Sequence, residues 1–212
     1  IRDANNSGGS IVYQYSAAGE QLWKSQSAVP EPYFADMDVF SYNSDMIFVA
    51  GQGSSDEVKN AQIHGFARND GTKQWTHSTE KDGWHGRIRS MDSDENGVFV
   101  GVDDDGSGSN QEPKILGLSN GSGEVTLEIS DISEGFLPSV HVVDGLLVVQ
   151  STQGVYWYDV ETGERIDSKD WFPGFGGSQI ANSTLYLANE ELQVIDLESR
   201  SKTWTTSLPS DS

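Results

Sequence analysis

Short runs of alternating apolar and polar residues, each bounded by Gly, Asn, Asp or Ser, follow one another along the chain and predict strands throughout. No stretch of about 15 residues keeps a 3.6-residue apolar period without a Gly, Pro or Asx-Gly break, so helix is not expected. A strand, tight turn, strand unit recurs four times, at 38–50, 87–100, 139–149 and 178–187. Asn96-Gly97 and Asp144-Gly145 read as type I′ turns, which need positive φ at both central residues. A second hairpin with a polar Gly turn occurs five times, at 11–23, 63–75, 115–127, 155–167 and 192–204. Its last residue is Trp23, Trp75, Leu127, Asp167 and Trp204 in turn, at spacings of 52, 52, 40 and 37. The turn glycine stands four residues earlier as Gly19, Gly71, Gly123 and Gly163, and Arg200 takes its place in the fifth copy.

Four strands per repeat of about 40 residues is the pattern of a β-propeller blade. The longer periods come from Gly- and Ser-rich inserts at 3–9, 51–62 and 103–114. The expected fold is all-β, a β-propeller of four-stranded antiparallel blades in a single segment, 1–212. Blades are expected at about 33–79, 83–132, 134–169 and 171–208, after a half blade at 1–27. Such four and a half blades do not close a ring. The chain is therefore expected to be a section of a larger propeller, or an arc whose open edge pairs with another molecule.

The strand-Asp-x-x-Thr-Gly-Glu pattern is clearest at Asp159-Val-Glu-Thr-Gly-Glu164 and is echoed at Asp196-Leu-Glu-Ser199. With Gly19/Trp23, Gly71/Trp75 and Trp204, it resembles the pyrroloquinoline-quinone (PQQ)-type propeller repeat. The resemblance implies that the Trp after the Gly turn docks between neighbouring blades. Leu127 and Asp167 depart from that Trp, and Trp157 and Val194 stand where the repeat has a small residue. Quinoprotein dehydrogenases of the family carry a vicinal disulfide beside the quinone, and this chain has no cysteine. The resemblance thus points to the non-catalytic branch, with no quinone cofactor and a location outside the cytoplasm, extracellular or at the cell surface, with a periplasmic-type compartment as the alternative.

Charge narrows the partners. Asp plus Glu number 33 against 13 Lys plus Arg, for a net charge of -20. A clustered basic face for nucleic acid is not expected, and no apolar run approaches the roughly 20 residues of a membrane-spanning helix. With 10% aromatic and 35% hydrophobic residues the chain can still build a core. The acidic excess reads either as a soluble surface or as halophilic adaptation, because molar salt shortens the Debye length to about 3 Å and screens self-repulsion. The halophilic reading predicts a melting midpoint that rises between dilute and molar salt. A circular-dichroism melt unchanged by salt would sink it.

Two acidic groups are candidates for calcium. Asp92-Ser-Asp-Glu-Asn96-Gly97 copies the first half of an EF-hand loop, with Asp103 at the twelfth position. The intervening 98–102 reads as extended, which carries Asp103 roughly 20 Å away, so the EF-hand fails. A polar hairpin turn and a weak cation clip of Asp92, Asp94 and Asn96 both stay open. Asp103, Asp104 and Asp105 open an insert and read as a solvated acidic loop or as calcium ligands. His85 and His141 lie near or within the first strands of successive blades, with Arg87 and Arg89 beside the former. They are candidates for the mouth of the central channel, facing an anionic ligand or partner carboxylate, or for pairing with local Asp. Trp84, Phe136 and Trp171 precede corresponding strands and read as packing between blades.

The expected function is a non-catalytic scaffold that binds a protein partner or assembles at a surface. One alternative is a filament or cell-surface-layer subunit that self-associates through open blade edges. Another is a PQQ-type dehydrogenase or other enzyme at the channel mouth.

Overall fold

A computed structural model describes residues 12–25, 39–52, 61–79, 86–104, 113–132, 139–171 and 177–208, with the backbone alone at 52, 86, 87, 103 and 104. Among these residues all regular structure of any length is strand. β1 (Tyr13–Tyr15) and β2 (Gln21–Lys24) pair as a two-stranded sheet. Four four-stranded sheets follow. The first holds β3 (Val39–Tyr42), β4 (Met46–Gln52), β5 (Ala61–Ala67) and β6 (Lys73–Ser78). The second holds β7 (Gly86–Ser93), β8 (Gly97–Asp104), β9 (Lys114–Ser119) and β10 (Val125–Ile129). The third holds β11 (Ser139–Val143), β12 (Leu146–Gln150), β13 (Val155–Asp159) and β14 (Arg165–Lys169). The fourth holds β15 (Gly177–Ala181), β16 (Thr184–Ala188), β17 (Glu191–Asp196) and β18 (Ser201–Ser207). Within each sheet every strand pairs antiparallel with its sequence neighbour, which makes an arc of a β-propeller.

Alternation along the strands builds the core between sheets, because successive side chains point to opposite faces. Met46, Phe48, Ile63 and Trp75 of the first sheet pack against Ile88, Val98, Val100, Leu116 and Leu118 of the second. Phe99, Ile115 and Ile129 of the second meet Leu147, Val149, Tyr156 and Tyr158 of the third. Val148, Val155 and Trp157 of the third meet Leu185, Leu187 and Ile195 of the fourth. The first three four-stranded sheets are thus apolar on both faces and packed between two neighbours.

The turns show why the repeat pattern holds. Oδ1 of Asp159 accepts hydrogen bonds from the amides of Glu161 and Thr162 and from the Thr162 hydroxyl, at 3.1, 2.8 and 2.9 Å. Asp196 Oδ1 accepts from the Ser199 amide and hydroxyl in the same way. These bonds hold both carboxyls below the usual aspartate range. Gly163 then takes φ 71°, a conformation a side chain resists. Arg200 takes φ 50° at the corresponding place and accepts that strain.

One turn differs from expectation. Asp144 and Gly145 have φ 48° and 77°, as a type I′ turn requires, and Asn182 and Ser183 reach the same region without glycine. Asn96-Gly97 does not: Gly97 is outside the left-handed region and begins β8. The bend is made instead by Asp94, whose Oδ1 accepts from the amides of Asn96 and Gly97 at 2.8 and 3.1 Å. Asn43 does the same for Asp45 and Met46 in the first sheet.

Candidate functional site: the inner strands and the junctions between sheets

Cross-strand register places one residue from each strand in a row on the face turned toward the next sheet. The rows are Ser41–Phe48–Gly65–Trp75, Asp92–Phe99–Gly117–Leu127, His141–Val148–Trp157–Asp167 and Gln179–Tyr186–Val194–Trp204. The inner end of each row is polar and the outer end is the residue after the Gly turn.

At the inner end, the strands are stitched to one another. Ser41 and Ser93 share a hydrogen bond of 2.7 Å between hydroxyls. Asp92 Oδ1 accepts from the Ser93 amide at 2.9 Å, and its Oδ2 accepts from the Val142 amide of the next sheet, also at 2.9 Å. His141 Nε2 lies 2.7 Å from Ser178 Oγ of the fourth sheet, and Ser178 also bonds Ser139 Oγ. Asp92, His141 and Ser178 are the residue types of a hydrolytic triad, but the geometry is not one. His141 Nδ1 stands 4.0 Å from Asp92 Oδ2, too far for a hydrogen bond that would orient the ring, and that oxygen is held by the Val142 amide. Burial pushes the His141 imidazole below its ordinary pKa, against the opposing pull of the Asp92 carboxylate.

Asp92 therefore satisfies an amide on the free edge of β11, which the strand ladder cannot reach. Replacing Asp92 by Ala is expected to lower stability by about 1–3 kcal/mol, since hydrogen bonds to a charged acceptor are the stronger kind. Asp92→Asn, which keeps an acceptor oxygen, is expected to lose less than half of that. Urea denaturation of the two variants beside the parent checks the order.

The remaining sequence candidates fall apart spatially or lie beyond description. Asp94 and Asn96 sit in the β7–β8 turn, where the Asp94 carboxylate caps backbone amides. Among the described residues no group of three or more His, Asp or Glu is placed to hold a metal ion. β8 is extended through Asp104, in line with the arithmetic against an EF-hand. The side chains of Arg87, Asp103 and Asp104, and all of His85 and Asp105, lie outside the described residues. So do Trp84 and Phe136 and most of each insert. Arg89 is the extra residue of a bulge in β7, since Ile88 pairs Val102 and Ser90 pairs Gly101, and a bulge re-aims a side chain. Trp171 packs edge-on to Trp157 with ring centres 6.1 Å apart, as a packing residue.

At the outer end, the junctions share one device that the motif spacing alone did not show. Trp23 covers Gly71 of the following sheet, Trp75 covers Gly123, and Leu127 covers Gly163; a methyl added at any of these glycines would lie closer than 3.0 Å to the covering side chain. Trp23 Nε1 donates to the Arg68 carbonyl at 2.8 Å and Trp75 Nε1 to the Asn120 carbonyl at 2.7 Å. Gly65, opposite Trp75 on the neighbouring strand, leaves the ring its space. The fourth junction is built differently. Arg200 replaces the glycine, Asp167 replaces the covering ring, and Trp157 stands where the first two four-stranded sheets have Gly65 and Gly117. Trp157 is fully buried and fills the interface itself. Asp167 pairs with Lys169 at 3.0 Å, and its carboxyl is held low chiefly by that bond, with a smaller pull from Arg200. The three departures from the repeat fall at one junction: the large ring stands across the strand pair, and Asp167, paired with Lys169, feels the Arg200 charge where the earlier junctions set a side chain over glycine.

No protein-family model and no curated protein matches the chain. Solved structures do. BamB from Moraxella catarrhalis superposes with a TM-score of 0.63 at 14% identity, over 99% of this chain and 62% of that one. The computationally designed Ika8 protein gives 0.64 at 11% identity, over 89% of this chain and 53% of its own. The computationally designed Ika4 protein gives 0.62 at 11% identity, over 84% of this chain and 99% of its own. This chain thus spans about three-fifths of the length of BamB and half that of Ika8. Likeness at these identities concerns the fold alone, and the fold is that of a partial β-propeller.

Proposed function

We propose that this chain is a non-catalytic protein-interaction scaffold that works outside the cytoplasm. The observation that carries this reading is the commitment of the inner-strand polar groups. Ser41, Asp92, His141 and Ser178, four polar side chains of the described inner strands, are each bonded to a neighbouring sheet, although the buried Ser90 hydroxyl of β7 has no such partner. A rigid arc stabilised in this way offers its turns, inserts and outer faces as surface, and loops on a rigid scaffold are where binding usually resides. The extracytoplasmic location follows from the resemblance to the PQQ-type repeat. Arg89 and His141 would contribute to contacts at the channel mouth, and the Asp103–Asp105 insert would present carboxylates to a partner or a cation.

The test is partner identification by crosslinking in the native source, followed by reconstitution with purified components. The expected result is a stoichiometric protein complex that weakens when inserts 53–60 and 105–112 are replaced by short Gly-Ser loops. Dye-linked dehydrogenase activity with a quinone absorbance in the purified native protein would overturn the reading.

A further inference from the structure

Two Asn-x-Ser/Thr triplets lie among the described residues, Asn120-Gly121-Ser122 and Asn182-Ser183-Thr184, and a third, Asn5-Asn6-Ser7, lies outside them. Such a triplet is the acceptor pattern for an N-linked sugar, which is added to surface asparagines of proteins outside the cytoplasm. The two described triplets stand in opposite situations, and we propose that Asn182 carries an N-linked glycan while Asn120 does not.

Asn182 and Ser183 are the two central residues of the β15–β16 hairpin, between the paired Ala181 and Thr184. Both have positive φ, 49° and 55°, as a type I′ turn requires, and both are exposed. The Asn182 side-chain amide bonds no described residue, and the Thr184 hydroxyl donates to the Asn182 carbonyl at 3.3 Å. Exposure here is a property of the turn. The corresponding residues Ser44 and Asp45, Glu95 and Asn96, and Asp144 and Gly145 are exposed as well, in sheets packed between two neighbours. Asparagine has an ordinary reason to stand at 182, because it tolerates positive φ. That reason does not extend to the hydroxyl at 184, where the other three sheets have Met46, Gly97 and Leu146.

Asn120 is committed elsewhere. Its Nδ2 donates to the Glu95 carbonyl at 2.6 Å and its Oδ1 accepts from Asn43 Nδ2 at 3.1 Å. These bonds tie the turns of the first two four-stranded sheets together. A transferase that drew this amide into its own active site would break both. At Asn182 nothing has to be broken.

The transfer forms a bond from Asn182 Nδ2 to the anomeric carbon of a sugar and breaks the bond from that carbon to the phosphate of a lipid-linked donor. The phosphate leaves with the electron pair, and the amide proton passes to a base of the transferase. Antiparallel order puts the β15–β16 turn at the end of the strands opposite the one that bears the β4–β5 and β8–β9 inserts. A glycan there leaves the inserts free for a protein partner. The inference rests on the extracytoplasmic part of the scaffold reading.

Peptide mapping by mass spectrometry of the protein purified from its native source tests it, beside fractionation of the cells, which reports the location independently. The expected result is a sugar mass on the tryptic peptide 170–200, placed on Asn182 by fragmentation, and none on 115–165. Thr184→Val keeps a β-branched strand residue and is expected to lose the sugar entirely. Thr184→Ser restores the hydroxyl and is expected to keep it, with circular dichroism confirming that both variants fold. A bare peptide 170–200 from chain found outside the cytoplasm, or a sugar that survives Thr184→Val, would overturn the inference and leave the scaffold reading standing. Chain found in the cytoplasm and bare at Asn182 would overturn the location and the glycan together.

Discussion

Trp75→Ala is expected to destabilise the chain by about 4 kcal/mol, within the range for removing a buried aromatic ring. The ring is buried between Gly65 of its own sheet and Gly123 of the next, and its Nε1 holds the Asn120 carbonyl. Truncation opens a cavity that two glycines cannot close, because neither has a side chain to move into it. The orphaned carbonyl adds to the cost. Trp204→Ala removes the same residue type from the equivalent place on an exposed strand, where a change within about 0.5 kcal/mol is expected. Urea denaturation of both variants measures the contrast. A Trp75→Ala loss below about 1 kcal/mol would show that the sheets are not held by this junction.

Acid is expected to unfold the chain through His64. The residue is almost fully buried, its Nδ1 lies 2.9 Å from Thr76 Oγ1, and its Nε2 has no hydrogen-bond partner. Burial, with the nearby Lys73 charge, lowers its pKa from 6.5 to about 4. Above pH 6.5 the imidazole is neutral folded and unfolded, and stability does not depend on it. As pH falls below 6.5 the unfolded chain takes up the proton and the folded chain does not, so stability declines until the folded pKa near 4 is passed. At about 1.4 kcal/mol per unit, the loss across that window is about 3 kcal/mol. The aspartates held low by turn bonds, Asp70, Asp159 and Asp196, lose their contribution at still lower pH, which keeps the two effects apart. His64→Gln cannot titrate and is expected to remove most of the decline between pH 6.5 and 4, the remainder belonging to His141, whose pKa burial also lowers. Guanidinium denaturation at intervals across that range checks it, and parallel profiles for parent and variant would contradict it.

The strands and most turns were legible because their determinants are local. Alternation marks a strand over five residues, and Asp159-x-x-Thr-Gly163 bends the chain through bonds spanning at most four. Asn96-Gly97 misled because its dipeptide suits a type I′ turn, while the carboxylate two residues upstream offered the amides a better closure. The junctions were harder to read. Trp75 and Gly123 are 48 residues apart, and nothing local ties one to the other. Yet the signal existed: Asp167, Arg200 and Trp157 all depart from the repeat at the one junction they share. Asp92 looked like the first ligand of a calcium loop because sequence shows the carboxylate and not the free amide of Val142 that it meets fifty residues away. The candidates at His85, Arg87 and Asp103–Asp105 rest on sequence, their side chains lying outside the described residues.

The scaffold reading is tested most directly by lysine crosslinking and mass spectrometry on the protein in its native surroundings. Lys24 stands over Tyr13 on the two-stranded sheet and Lys202 lies on β18 of the fourth sheet. The account predicts that both lysines crosslink to protein, either to another copy of the chain or to one recurring partner. Crosslinks confined to a single chain, in a preparation that oxidises substrate with a bound quinone, would contradict it.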